Sequence, residues 1–518
     1  MAMTNRYNRK RDSFIMYTIE ELVPQDHLVR KLEEGIDFTF IYPRVKNLYS
    51  SIGRPSIDPV ILFKLLFINI TFGINSMRRT CEECKVNLAY RWFLGMEIDE
   101  EIPNYSTWSQ NYIRRYKDSN IFNEIFDCIL SQAMMNGFVD METVFGDGTH
   151  QKASANKKKN HKEEVQLVAK KYEEDLLREI NEDRESIGLK PINTLTKTEQ
   201  IFNEETGEVT EVKETKNITV SDVDPESGLF HKGEKEKCFA YNQQTICERN
   251  GFVVMVKTFP GNVHDSTAFL EVHDELNQKY PGRIKNISLD AGYKIPAICR
   301  AIIVNGQIPY LPYTRTKNKK GYFKKYEYVY DEYYDVYICP NNKILSYTTT
   351  TKDGYRKYKS EKHDCANCPY KAQCTKLATK EIMRHMWENY IEETEEIRHS
   401  DEWETIYPKR KETIERVFAD CKEQFGFRFT RLRGLKKNQH NALIVFACYN
   451  LKKMSLWGWK YKKKVRQSHG ISIRFDSINI LKCGKLAKRK LGVIETPSLS
   501  TICKAEIISA FFIFTLYL

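Results

Sequence analysis

The chain has 518 residues, of which 41% are hydrophobic and 29% charged, a composition that suits a soluble protein of about three or four globular domains. Its 81 Lys+Arg against 69 Asp+Glu leave a formal net charge of +12, which favours polyanionic partners, nucleic acid first. The final IISAFFIFTLYL is too short to span a bilayer, the leading MAMTNRYNRKRD lacks the apolar core of a secretory signal, and fourteen cysteines do not suit a secreted disulfide framework; a place inside the cell, away from membranes, is expected.

Residues 13–138 read as helical. Ser56-Ile57-Asp58-Pro59 opens a strong helix over VILFKLLFINITF, with acid and proline in the first turn. A second helical stretch runs from Ser76 to the Gly95 turn, and YSTWSQ reads as a capping box with Thr107 as N-cap and Gln110 three residues on. Short helices with exposed Arg and Lys fit either a helix-turn-helix-like DNA-binding unit or a plain helical bundle. Residues 157–190 are so densely charged that an exposed helix or helical hairpin is expected, and 191–236 read as a polar loop. CFAYNQQTICERNGFVVMVKTF predicts two strands joined at Asn250-Gly251, and ISLDAGY and IPYLPYT predict further strands. Residues 315–399, rich in tyrosine, lysine and cysteine, interrupt this rhythm, and from Trp403 to Met454 the pattern is helical again.

Two carboxylates share one setting. Asp147, in VFGDGTHQKASANKKK, and Asp290, in SLDAGY, each end an apolar strand among small residues, where bulky ligands can approach the backbone. Asp147 alone also reads as an ordinary Asp-Gly turn. Asp265, in NVHDS, competes with Asp290, although an N-cap role would account for it. In the helix expected over 407–434, Ile414, Val417, Phe418 and Cys421 form an apolar stripe, and Lys411, Glu415 and Lys422 fall close to one other face. The run RFTRLRGLKKNQH after it mixes aromatic and cationic side chains as a DNA-tracking surface would.

From about residue 15 to 455 these motifs, in this order, resemble the bacterial insertion-sequence transposases of the DDE type. GRPSIDPVILFKLLF and YSTWSQNYIRRY are similar to the family's N-terminal domain, VFGDGTHQKASANK to its first-aspartate motif, and GNVHDSTAFLEV with ISLDAGY to its second. The helix from Tyr407 resembles the signature of tyrosine, arginine, glutamate and lysine along one helix, with Lys411 where the arginine usually stands and Arg410 beside it.

The resemblance implies an α/β fold, an RNase H-like mixed sheet flanked by helices, with a helical N-terminal domain and two insertions. The expected scheme is a helical, DNA-binding domain at 1–138, and a catalytic domain at 139–155, 236–314 and 400–458. A charged insertion at 156–235, a Cys-rich insertion at 315–399 and a basic tail at 459–518 complete it. Asp147, Asp290 and Glu415 would be catalytic and hold a pair of Mg²⁺ (or Mn²⁺) ions, hard cations that take oxygen ligands. Lys411, Lys422, Arg431, Arg433 and Lys436 would contact DNA. The implied activity is cleavage and strand transfer at element ends, by a homodimer or larger synaptic complex in the bacterial cytoplasm, associated with the nucleoid. The alternatives are a nuclease of the same fold without strand transfer, or a decayed transposase that only binds DNA.

Cys339, Cys365, Cys368 and Cys374 carry a CxxC with a third cysteine six residues on and a fourth upstream, a spacing suited to structural Zn²⁺ or to packed thiols. Cys81 and Cys84 lie on a predicted helix without such partners, so packing is expected there.

Overall fold

The computed structural model describes residues 16–469 apart from residues 51, 54, 75, 167–171, 193–197, 203–208, 214, 233–235 and 315–319. The chain divides into two compact units, Met1–Gly458 and Trp459–Leu518, and the expected tail past residue 469 lies outside the described residues.

The N-terminal part is helical as expected. Asp58 accepts the Val60 N–H at 2.7 Å and Pro59 begins the helix Pro59–Thr71. That helix is apolar on nearly every side, so it runs through the core, burying Phe63, Leu65, Phe67 and Ile68. Cys81 and Cys84 are buried packing thiols on the next helix, Met77–Val86. The expected cap at Thr107 is not the one used. Asn104 caps the helix Tyr105–Asn111 by accepting the Ser106 N–H at 3.0 Å, which places Thr107 inside it. Asn side chains cap at least as well as Thr, and Asn104 stands three residues earlier.

A six-stranded mixed sheet follows. The strand Thr143–Lys152 lies between the antiparallel Glu236–Glu248 and the parallel Asn286–Ser288, beyond which Ile308–Tyr310 is again parallel. The long strand Glu236–Glu248 pairs on its other side with Gly228–Lys232 and, through the tight turn at Gly251 (φ +76°), with Val253–Pro260. Val253–Pro260 would expose an open edge, and the helix Leu435–His469 closes it. Gln439 accepts from the Thr258 N–H (2.7 Å) and donates to the Val256 carbonyl (3.0 Å), while Asn450 does the same for both backbone groups of Val253 (2.9 and 2.7 Å).

Three expectations are corrected. The charged stretch after residue 157 is neither an exposed helix nor a helical hairpin outside the core. It holds the strand Asn160–Gln166, paired with Thr215–Ser221, and a single helix, Glu173–Ser186, that buries Leu176 and Ile180. Those two aliphatics stand one turn apart, and a stripe that narrow is hidden by the surrounding charge. Residues 191–236 are not simply a loop, since Thr198–Phe202 pairs with Val209–Lys213 and Gly228–Lys232 joins the main sheet. Finally, no single helix spans 407–434. Tyr407–Lys411 forms a 3₁₀ turn, Thr413 departs from helical geometry (φ −109°, ψ −97°), the α-helix covers only Ile414–Gln424, and Gly426 (φ +69°) ends it.

Residues 329–385 form a separate five-stranded antiparallel sheet over a small, tyrosine-rich core of Tyr328, Tyr337, Leu345, Tyr358 and Ile382. Asp183 fastens the helix Glu173–Ser186 to it, accepting two bonds from Arg356 (2.6 and 3.0 Å) and others from Thr350 and Tyr347.

Candidate active site

Asp147 does not end its strand, as expected, because the antiparallel pairing continues to Lys152 opposite Ala240. It is the parallel neighbour that stops, with Ser288 opposite Phe145. Asp290 follows two residues later, immediately before the turn Ala291–Tyr293. Both acids therefore sit where a parallel pair of strands opens at its carboxyl end, a usual place for ligands on such sheets.

Glycine on each side of Asp147 has a steric cause. A Cβ on Gly146 would lie 2.7 Å from Leu289 Cδ2 and 2.9 Å from Ile246 Cδ1, so the core closes directly on the backbone. Arg410, 4% exposed, threads into this corner: Nη2 stands 3.0 Å from Asp147 Oδ2, and Nη1 donates to the carbonyls of Gly146 (2.9 Å) and Ser288 (3.1 Å). Glu415 is exposed in the first turn of Ile414–Gln424, whose inner face is the expected stripe of Ile414, Val417, Phe418 and Cys421.

Electrostatics link the three predicted acids. Burial pushes the Asp147 carboxyl up to about 6, against the pull of Arg410 and the Gly148 N–H, and Asp290 and Asp265 push it further up. The Tyr407 phenol is raised first by burial, with Arg410 opposing and Asp290, Glu415 and Asp147 all adding. Tyr407 lies stacked on Trp403, with ring centroids 4.8 Å apart.

Arg410 and not Lys411 is the basic residue turned toward these acids. Lys411 is exposed and forms no ion pair among the described residues. The break at Thr413 rotates the residues before it, so a count of four back from Glu415 no longer marks one face. Lys422 is half-buried, with its ammonium 5.9 Å from the Phe418 ring centroid. Arg431 and Arg433 are exposed without ion-pair partners among the described residues, whereas Lys436 pairs with Asp118 at 2.7 Å. The segment carrying these arginines runs beside the Asp147 strand: Lys152 N–H donates to the Arg428 carbonyl (3.0 Å), and Thr430 N–H to that of Lys152 (2.9 Å).

Among the described residues, no three His, Cys, Asp or Glu side chains are gathered so as to hold a metal ion by themselves. The donor chemistry around Asp147 nevertheless fits a hard divalent cation, because all the acids there offer carboxylate oxygens and, among the described residues, Arg410 is the only cation paired with them. In the Cys-rich sheet, Cys374 Sγ is 3.1 Å from Tyr328 Oη, Cys365 Sγ is 3.0 Å from Ser360 Oγ, and Cys339 Sγ accepts the Lys343 N–H at 3.3 Å. Burial raises the Cys374 thiol first, and Cys365 and Cys339 raise it further, so these three are electrostatic neighbours.

Sequence reasoning passed over the polar run Asn242-Gln243-Gln244-Thr245, buried in the long strand beside Asp147. Consecutive amides inside an otherwise apolar strand were the signal for a polar site.

Two family models match the chain, both of transposases: "Transposase domain (DUF772)" over residues 17–114 and "Transposase DDE domain" over residues 338–455. Both matches support an insertion-sequence transposase of the DDE type. The second match contains Glu415, Arg410 and the four clustered cysteines, while Asp147 and Asp290 lie outside both spans. No curated protein and no solved structure matches the chain.

Proposed function

We propose that the protein binds the ends of an insertion sequence and catalyses metal-dependent DNA cleavage and strand transfer through Asp147, Asp290 and Glu415. The observation that carries this reading is Arg410. It pairs with Asp147, bonds to the strand that leads into Asp290, and stands five residues before Glu415 on the polypeptide. The strand order supports an RNase H-like catalytic domain: three antiparallel strands with Asp147 on the innermost, continued by two short parallel ones. The domain scheme read from the sequence is retained, with the helical N-terminal part and the arginines of 428–437 as the DNA-binding surfaces.

Asp147, Asp290 and Glu415 would hold Mg²⁺ or Mn²⁺, which when bound activates a water or 3′-hydroxyl and stabilises the leaving oxygen at phosphorus. The chain's own residues do the rest. Arg410 fixes the Asp147 carboxylate and lowers the cost of its charge. Exposed Asp290 and Glu415 present oxygens toward solvent, from which a phosphodiester arrives. Arg431 and Arg433, on the segment beside the Asp147 strand, would hold backbone phosphates. Strand transfer at two ends calls for a homodimer or larger synaptic complex, working in the bacterial cytoplasm on nucleoid DNA. No helix among the described residues is long and apolar enough to cross a membrane.

The test uses labelled DNA carrying the element's ends. Asp147→Asn, Asp290→Asn and Glu415→Gln keep shape but remove a negative oxygen, and each should lose Mg²⁺-dependent cleavage while retaining end binding in gel shifts. Pairs of these changes should be no worse than either single, because the three act as one unit. Cleavage that survives any of the three would remove that residue from the site.

A further inference from the structure

The sequence leaves Asp265 between a competitor of Asp290 and a helix cap, and the structure gives the cap to His264, whose Nδ1 accepts the Ser266 N–H (3.2 Å) at the start of Asp265–Lys279. Asp265 is thereby released for another role. Its Oδ1 accepts from two side-chain amides of the long strand, Asn242 Nδ2 and Gln244 Nε2, each at 2.7 Å. Gln244 is held in that orientation because its Oε1 accepts from the Tyr293 hydroxyl (2.9 Å), and Tyr293 closes the turn that follows Asp290. Gln244 also faces Gly148 across the strand pair. A Cβ at Gly148 would fall 2.4 Å from Asp265 Oδ1 and 2.5 Å from Gln244 Nε2. The second glycine of Gly146-Asp147-Gly148 is thus the space that lets Asp265 lie against the backbone next to Asp147.

The remaining oxygen, Oδ2, has no hydrogen-bond partner among the described residues, and no Lys or Arg is paired with Asp265. A neutral acceptor could take the two amide bonds without bringing a charge close to Asp147.

We propose that Asp265 is a fourth carboxylate of the acidic site, fixed through Oδ1 by Asn242 and Gln244 so that Oδ2 contributes to holding the divalent cation. This rests on the active-site reading given above and adds a residue to it. It also makes Gly148 a positioning residue, which acts by leaving room for Asp265.

The test is titration of Mn²⁺ into metal-free full-length protein, with free Mn²⁺ read by electron paramagnetic resonance and the fold checked by thermal unfolding without metal. Asp265→Asn keeps an oxygen for the two amides and replaces Oδ2 by a donor. It should weaken Mn²⁺ binding by about tenfold or more, the range seen for supporting groups around metals, with an unchanged melting curve. Gly148→Ala should do the same by displacing Asp265, and the two changes together should be no worse than one. If Asp265→Asn fails to fold, Asp265→Ser is the substitute and should give the same loss. Wild-type affinity in a folded Asp265 variant, alongside weakened binding in Asp290→Asn, would overturn the assignment and leave the three-acid site standing. No Mn²⁺ binding by the wild type would overturn both.

Discussion

Arg410 joins Asp147 at 3.0 Å and, through its other terminal nitrogen, holds the carbonyls of Gly146 and Ser288 on two neighbouring strands. One guanidinium thus serves as counter-ion to an acid and as a clasp between the strands that lead to Asp147 and Asp290. Its planar fork is what permits both, since a lysine ammonium could not reach three acceptors with this geometry.

Arg410→Ala should therefore be costly. It leaves a half-buried carboxylate and two backbone carbonyls without their donor, and a loss of about 3–5 kcal/mol in urea unfolding is expected. Arg410→Lys should recover only part of it. Lys411→Ala, at the exposed neighbouring position, should shift stability by no more than about 0.5 kcal/mol. Equal effects at 410 and 411 would mean that the turn Tyr407–Lys411 sits differently in solution.

The Asp147 carboxyl gives a pH signature. Burial raises it from 3.8 to about 6 in the folded chain. Between roughly pH 4 and 6 the native state therefore binds more protons than the unfolded chain, and stability falls as pH rises through that window. Asp147→Asn cannot ionise. In EDTA above pH 6 it should be more stable than wild type by about 1–3 kcal/mol, with the gap closing below pH 4. Urea midpoints at several pH values measure this, and a gap independent of pH would assign the difference to packing.

DNA contact by the segment after the Glu415 helix predicts a salt effect. Changing Arg431 and Arg433 to glutamate should weaken binding to element ends and flatten the plot of log affinity against log salt by roughly two units, about 0.9 for each lost phosphate contact. An unchanged slope would move the contact to the N-terminal helices.

For the cysteines, zinc binding by Cys339, Cys365, Cys368 and Cys374 predicts about one zinc per chain by elemental analysis of protein purified without added metal. Cys365→Ser should lose it and loosen the small tyrosine core, detectable as faster proteolysis within residues 329–385. Zinc-free protein of undiminished stability would return all four to packed thiols.

Features that depend on adjacent residues were legible in the sequence. Asp58-Pro59 marked its helix, Asn250-Gly251 its hairpin, and the stripe Ile414, Val417, Phe418, Cys421 its buried face. What depends on distant partners was not. Asn160–Gln166 becomes a strand only because Thr215–Ser221 lies alongside, and its own residues are those of a solvated surface. Arg410 was noticed but passed over, because the change from 3₁₀ to α geometry at Thr413 alters the angular spacing on which the count back from Glu415 relied. For Asp265 the choice between a site carboxylate and a cap stayed open, because the sequence cannot show that His264 fills the cap position.

The clasp has a consequence for the growing chain. Arg410 and the Gly146 carbonyl that it binds are 264 positions apart, so at a translation rate of about 5–20 residues per second the ribosome needs roughly 15 to 50 seconds to deliver one after the other. Within that interval the strands of Asp147 and Asp290 emerge in turn and can pair, yet the carbonyls of Gly146 and, later, Ser288 wait for a donor. A polypeptide released at residue 400 would carry both aspartates and a sheet without its fastening. Limited proteolysis of ribosome-bound chains should find Thr143–Lys152 cleavable at that length and protected once Arg410 and the helix from Leu435 have left the exit tunnel. On the proposed reading, a chain interrupted before residue 410 lacks both this clasp and Glu415.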